Sequence, residues 1–268
     1  MSMEKMEKIF ANLAIQAGYA IMEIYHSENI AVSQKDDKSP VTQADEIADD
    51  MIYQGLTKAF GDMPIVTEEK AQSHALRASR FIIVDPLDGT KEFINKSNQF
   101  TVNIAYVEDG RPITGCVYAP ALGEMYLNSS RNHAYALRGD FAKPETLAKT
   151  RLNVSKRCHA PLNFVASKSH RDQRTDDYIK LYGEGQAVAA GSSLKFCLVA
   201  RGDADIYPRL GRTMAWDTAA GHAVLLAAGG RVLRFDDHQD LIYNSDDFAN
   251  PYFIACNGLV PLKRADVL

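Results

Sequence analysis

Two aspartates three residues apart, Asp85 and Asp88, close an apolar run in FIIVDPLDGTKEFI, residues 81–94. Strand ends in α/β proteins face the crevices where ligands bind, so carboxylates there are placed for chemistry. Pro86 stiffens the connection, Gly89 can take a positive φ, and Thr90 is placed to cap a helix starting KEFI. Such a turn holds Asp85 and Asp88 on one side, at the positive end of that helix. Two carboxylates about 4 Å apart repel by roughly 4 kcal/mol at an effective dielectric near 20, a cost that a hard divalent cation cancels. A bare DxxDG also reads as an ordinary turn, with Asp88-Gly89 at its tip and Asp85 as a cap. Three further acidic segments favour the cation: Glu68 and Glu69 in VTEE, Asp217 in AWDTAAG, and Asp45 in PVTQAD. Asp45 and Asp217 each also read as helix caps on their own. Taken together, the set supplies oxygen without histidine or thiol, which suits Mg²⁺ rather than zinc.

The elements that must position these groups follow from periodicity. Apolar residues from Met6 to Ile24 keep helical spacing over 3–24, and a second helix is expected over 44–60, stopped by Gly61. Between them VSQKDDKSPVTQAD reads as a charged loop. PIVTEE and RFIIVD read as short buried strands that end in acids. FTVNIAYV and PITGCVYA flank EDGR, where Asp109-Gly110 signals a hairpin turn, and EMYLN and HAYALR add strands. After a polar connector over 139–150 the pattern alternates: strand LNFVASKS, helix 172–181, strand QAVAA, helix SSLKFCLVARG, helix WDTAAGHAVLLAAGG, and closing strands RVLRF and YFIAC. The expectation is an α+β half over 1–148, with most of the metal-ligating acids, and an α/β half over 149–268, with Asp217.

The chain of 268 residues, 46% apolar, is long enough for a sizeable core. Its net charge of −4 and pI near 6.0 argue against a nucleic-acid polymer as partner. The cysteines Cys116, Cys158, Cys197 and Cys256 form no CxxC pair and read as small core residues. No apolar run of membrane-spanning length occurs and the charged start MSMEKMEKIF is no signal peptide, so cytoplasm is expected.

VTEE, DPLDGT and WDTAAG, in this order and at these separations, resemble the Mg²⁺-dependent, lithium-sensitive phosphatase superfamily of the inositol monophosphatases and fructose-1,6-bisphosphatases. Within it DKSPVTQAD, DGTKEF, GSSLKFCLVARGDADIYPR and WDTAAGHAV are most similar to the 3'(2'),5'-bisphosphate nucleotidases of the CysQ type. The resemblance implies a five-layer α/β/α/β/α sandwich and a cofactor of two or three Mg²⁺ ions. It makes Glu68, Asp85 and the Leu87 carbonyl ligands of one ion, and Asp85, Asp88 and Asp217 ligands of a second. A water on the first ion would be the nucleophile, oriented by Glu68 and Thr90, with Asp45 hydrogen-bonded to the threonine. The resemblance assigns Glu69 no role. Members of the family can associate peripherally with the inner membrane's cytoplasmic face, although no basic amphipathic helix stands out in this sequence.

The scissile phosphate is expected on the amides of Gly89 and Thr90. Lys91, where inositol monophosphatases usually carry a small polar residue, either neutralises a phosphate or is a solvated lysine in a helix's first turn. Gly191, Ser192 and Ser193 in AAGSSLK offer another helix start for an anion, or a plain serine cap. Lys195 and Arg209 add cations, and the position matching Arg209 is commonly acidic in the inositol-phosphate enzymes. A base there favours a second phosphate. The expected reaction is loss of the 3'-phosphate from adenosine 3',5'-bisphosphate, with its sulfated form as a related substrate. The alternatives are an inositol- or sugar-phosphate phosphatase, and a nucleotide or anion sensor without turnover. Tyr207 and Tyr118 read as core rather than base-stacking residues.

Overall fold

A computed structural model describes residues 1–27, 32–34, 40–167, 173–183 and 185–264. The segment KDDKS of the expected charged loop and the first residue of the helix expected at 172 lie outside them.

The chain starts with α1 (Met3–Tyr25), β1 (Val32–Gln34), β2 (Pro40–Thr42) and α2 (Gln43–Phe60). Then come β3 (Ile65–Thr67), β4 (Arg80–Asp88), α3 (Thr90–Ile94), β5 (Thr101–Glu108), β6 (Arg111–Ala119), β7 (Glu124–Ser130), β8 (His133–Arg138) and β9 (Ala148–Arg151). The remainder is β10 (Leu162–Ser167), α4 (Gln173–Lys180), β11 (Gly185–Ala190), α5 (Leu194–Arg201), β12 (Ile206–Arg209), α6 (Ala215–Ala227), β13 (Arg231–Arg234) and β14 (Phe253–Cys256). Seven strands form one sheet in the order β3-β4-β5-β6-β7-β8-β9, antiparallel except for the parallel pair β3-β4. Five form a mixed sheet in the order β11-β10-β12-β14-β13.

Three apolar cores fix five layers. Met6, Phe10, Ala14, Ala17 and Ile21 of α1, at spacings of three and four, pack with α2 on one face of the seven-stranded sheet. Helices α5 and α6 lie between the two sheets, and Tyr178 of α4 packs on the far side of the five-stranded one. Because both faces of β4 are covered, its apolar run is unbroken: Ile82 and Val84 enter the α1/α2 core, Phe81 and Ile83 the α5/α6 core. The two mixed sheets with their helix layers give the expected α/β/α/β/α sandwich.

Local differences from the sequence reading have physical causes. The loop between the first two helices contains the two-stranded ribbon β1-β2, too short to show a period. Part of the polar connector pairs as β9 on the edge of the first sheet, its four residues all exposed, so no apolar pattern marks it. Strand β12, which the pattern left unassigned, contains Pro208 and yet lies inside its sheet, paired with β10 at one residue only. The hairpin is as expected, with Asp109 and Gly110 both at positive φ, 49° and 73°. Helix α6 sits against β6 so closely that a Cβ on Gly115 would lie 2.3 Å from the Ala220 carbonyl oxygen. Its run of small residues is what lets a helix fit between two sheets.

Candidate active site

Strand parity and register bring the acids together. Val66 and Ile83 face the α5/α6 core, so Glu68 and Asp85, two residues further along from β3 and β4 positions respectively, point to that same side. The parallel register pairs Val66 with Ile83 and Thr67 with Val84, and the Glu68 amide donates to the Val84 carbonyl at 3.1 Å, which sets Glu68 beside Asp85. From the facing layer, the first turn of α6 supplies Asp217. Glu68, Asp85 and Asp217 each offer an oxygen within 4.8 Å of the others. Asp88, at an odd offset from Asp85, would leave that side in a regular strand. A bulge corrects it: Asp85 opposes Asn103 and Asp88 opposes Thr101, so three residues on β4 match two on β5. The carboxylates are therefore placed by a bulged strand continuing through Asp88, not by a turn that follows Asp85.

The supporting hydrogen bonds account for further residues. Asn103 Nδ2 donates to Asp88 Oδ2 at 3.3 Å and its own Oδ1 accepts from the Thr101 hydroxyl at 3.0 Å. The Leu87 amide donates to Asp85 Oδ1 at 3.1 Å, and the Leu87 carbonyl, within the bulge, lies 3.4 Å from the Thr90 hydroxyl oxygen. Thr90 does not cap α3; the cap is Gly89, in the left-handed region at φ 96°, and Thr90 is the first helical residue. Its hydroxyl donates instead to Asp45 Oδ1 at 3.2 Å. Asp45 Oδ2 meanwhile accepts from the Thr42 amide at 2.8 Å, so one carboxylate caps α2 and fixes Thr90. Asp217 divides its oxygens similarly, Oδ2 accepting from the Met214 amide at 2.8 Å. Asp45 and Asp217 are thus caps and site groups at once.

Glu68, Asp85, Asp88, Thr90 and Asp217 line a cleft of about 260 Å³. Lys91 is exposed at its rim, and Gly89, Thr90 and Ser192 lie along it. Lys195 and Arg209, both buried, face the acids from α5 and β12. Lys195 Nζ donates to the Ser192 and Ala190 carbonyls at 2.5 and 3.4 Å, and Arg209 Nη2 to the Arg212 carbonyl at 3.0 Å. The AAGSSLK segment differs from expectation. The Gly191 amide is taken by Gln99 Oε1 at 3.1 Å, and the Ser193 hydroxyl neither caps α5 nor faces the cleft but donates to the Asp217 carbonyl at 2.6 Å. Of the three, only Ser192 lines the cleft, at a positive φ of 46°. Glu69 does not line it. Tyr207 does, wedged among Phe196 and Phe253, whereas Tyr118 packs on Phe141 in the α1/α2 core.

Electrostatics show what the cluster lacks. Burial, reinforced by Glu68, lifts the Asp88 carboxyl from 3.8 to about 6, against the pull of Lys195. Burial and then the charges of Asp88 and Glu68 hold Asp217 well above the carboxylate range. Burial lowers Lys195 to about 8. Like charges crowded in a half-buried, all-oxygen donor set are the environment a hard cation neutralises, and Mg²⁺ fits it. Sequence reasoning passed over Asn103, Arg212, Ser167 and His74. A lone asparagine in the apolar strand FTVNIAYV is the signal that was available for the first. His74 gave none: it stacks on Trp216 at 4.7 Å and contacts the Thr67 carbonyl at 2.8 Å, joining the Glu68 loop to the residue before Asp217.

The sequence matches the inositol monophosphatase family over residues 2–265. It is 43% identical over 244 residues to the 3'(2'),5'-bisphosphate nucleotidase CysQ of Salmonella typhimurium, covering 90% of this chain and 95% of that protein. A CysQ of Buchnera aphidicola is 41% identical over 232 residues, covering 85% and 84%. Among solved structures, CysQ from Bacteroides thetaiotaomicron superposes with a TM-score of 0.80 at 36% identity, covering 95% of this chain and 98% of that one. Inositol monophosphatase from Anabaena shares the fold at a TM-score of 0.70 and 20% identity, with 96% and 92% covered. The chain belongs to the inositol monophosphatase family, among its CysQ-type members.

Proposed function

We propose that the chain is a Mg²⁺-dependent phosphoric monoester hydrolase that removes the 3'-phosphate of adenosine 3',5'-bisphosphate to give AMP and phosphate, and acts likewise on the 5'-phosphosulfate form. One observation carries the reading: a carboxylate cluster built around the buried Asp85 and the two buried cations Lys195 and Arg209 line the same cleft. The acids suit a phosphate held through cations, and the bases suit a second anionic group on the same substrate. Relatives named 3'(2'),5'-bisphosphate nucleotidase support the choice of substrate.

Glu68, Asp85 and the Leu87 carbonyl would hold one Mg²⁺, and Asp85, Asp88 and Asp217 a second. Bound there, Mg²⁺ offsets the carboxylate repulsion, lowers the pKa of water and neutralises charge on the phosphoryl oxygens. The Thr90 hydroxyl donates its hydrogen bond to Asp45 and keeps its proton, so its lone pairs are left to accept from the attacking water. Glu68 takes that water's other proton. Attack in line on phosphorus forms a new P–O bond and breaks the bond to the ribose 3'-oxygen, and the proton taken from the water passes by way of solvent to that oxygen. The Gly89 and Thr90 amides would cradle the phosphate being removed, with Lys91 at the rim and Ser192, Lys195 and Arg209 toward the 5'-group. The subdomains 1–148 and 149–268 divide the work: the first carries Glu68, Asp85 and Asp88, the second Asp217 and the cations. A cytoplasmic site of action accords with three buried free thiols.

Phosphate release measured in Mg²⁺ over adenosine 3',5'-bisphosphate, inositol 1-phosphate and sugar phosphates tests the reading. The bisphosphate is expected to have the highest kcat/KM; preference for the inositol ester would discard the substrate, and no turnover of any would favour a sensor.

A further inference from the structure

Asp217 is anchored through Met214, and Met214 is itself held by a residue that no site motif contains. Asn250 lies in the segment before β14, outside the cleft lining. Its Nδ2 has the Met214 carbonyl oxygen at 2.7 Å, the Thr218 hydroxyl at 3.0 Å and the Thr213 hydroxyl at 3.1 Å. A carbonyl can only accept, so the side-chain amide must present its NH₂ to Met214. The Asn250 amide adds a bond to the Thr213 carbonyl at 2.9 Å. The neighbouring Phe248 carbonyl takes the Ala215 amide at 2.8 Å, and Ala249 bridges to Met214. The N-terminal turn of α6 is therefore held over residues 213–218, of which Thr213, Asp217 and Thr218 line the cleft.

We propose that Asn250 is a positioning residue for Asp217: its side chain fixes the Met214 carbonyl and its main-chain N–H the carbonyl of Thr213, so the peptides on both sides of Met214 are held, one of them carrying the N–H that binds Asp217 Oδ2, and the carboxylate is aimed at Glu68 and Asp85. The inference rests on the reading of Asp217 as a metal ligand. Helix α6 comes from the layer opposite the β3 and β4 acids, and a displacement of its first turn would carry Asp217 away from Glu68 and Asp85. Partners that orient ligands in this way typically contribute ten- to hundredfold to metal affinity.

The chain's single tryptophan, Trp216, adjoins Asp217 and gives a readout independent of turnover. Mg²⁺ is titrated into the purified full chain at fixed pH, following Trp216 fluorescence, for wild type, Asp217→Asn, Asn250→Ala and Asn250→Asp, with the unfolding temperature measured in parallel. Both Asn250 variants are expected to raise the Mg²⁺ midpoint about ten- to hundredfold, with activity largely recovered at saturating Mg²⁺. Asn250→Asp keeps the shape while losing the donors, and its added negative charge would by itself tighten Mg²⁺ binding; it decides the matter if Asn250→Ala fails to fold. A merely structural asparagine would lower the unfolding temperature and leave the midpoint in place. Asp217→Asn without a response, beside a folded Asn250 variant within twofold of wild type, overturns the proposal alone. Asp217→Asn that responds like wild type overturns the ligand reading and the proposal with it.

Discussion

Removing one charge from the carboxylate cluster should stabilise the metal-free protein while disabling it. Asp88 sits at about 6 instead of 3.8, chiefly because burial penalises its charged form. In a metal-free solution it is neutral in the folded chain below that value, while the unfolded chain has already released its proton. Between these values the folded state binds the extra proton, so stability falls as pH rises from about 4 to about 6. Above 6 the whole penalty is present. At about 1.36 kcal/mol per pKa unit the gap amounts to roughly 3 kcal/mol. Asp88→Asn keeps the shape and the contact with Asn103 but cannot ionise. In EDTA at pH 7.5 the variant should unfold later than wild type by up to roughly 3 kcal/mol, on the order of 6 °C for a chain of this size. By pH 4 the two should converge. Added Mg²⁺ should raise wild type far more than the variant, and the variant should release no phosphate. Thermal unfolding monitored by circular dichroism at both pH values, with and without Mg²⁺, makes the comparison. A variant no more stable than wild type at pH 7.5 in EDTA, or a gap that stays constant down to pH 4, would refute the account of a repelled, desolvated carboxylate.

Three other outcomes follow from single contacts. Gly89→Ala forces a side chain into φ 96° and sets a Cβ 3.3 Å from the Gln99 carbonyl oxygen; it should cost about 1–2 kcal/mol of stability and reduce kcat, and unchanged turnover would show the turn to be dispensable. Thr90→Val removes the hydroxyl between Asp45 and the cleft; kcat should fall at least about a hundredfold with the unfolding temperature little altered, measured by phosphate release beside a melting curve. Arg209→Met should raise KM for the bisphosphate by roughly ten- to a hundredfold while leaving adenosine 3'-monophosphate nearly unaffected, and equal losses on both substrates would remove Arg209 from the second anion site.

Much of the fold was legible because it is written in local periods. Helices α1 and α2, the β5-β6 hairpin and the buried run of β4 each carry a pattern that only one element satisfies. Strands β1, β2, β9 and β12 were not: they are three or four residues long, β9 is exposed, and β12 holds a proline. Among site groups, the acids were readable as oxygen donors without partners. Thr90 was read as a cap because hydroxyls at helix starts usually cap; here Asp45, 45 residues away in sequence, accepts its hydrogen bond instead. The Gly191 amide was read as an anion donor, yet Gln99 occupies it, a contact between two turns that no spacing announces.

Residue types alone therefore determined the chemistry available: carboxylates without histidine or thiol, basic residues to pair with an anion, and glycines where the backbone must turn. Which side each carboxylate faces was decided in three dimensions. Strand parity and the β3-β4 register set Glu68 beside Asp85, and one extra residue in β4 returns Asp88 to their side. Asp217 arrives from the opposite layer, on a helix that reaches it only because Gly115 leaves room for the Ala220 backbone. Charge is a property of a residue, whereas repulsion, burial and the cation that relieves them are properties of a distance, and distances between remote segments exist only once the sheets have packed.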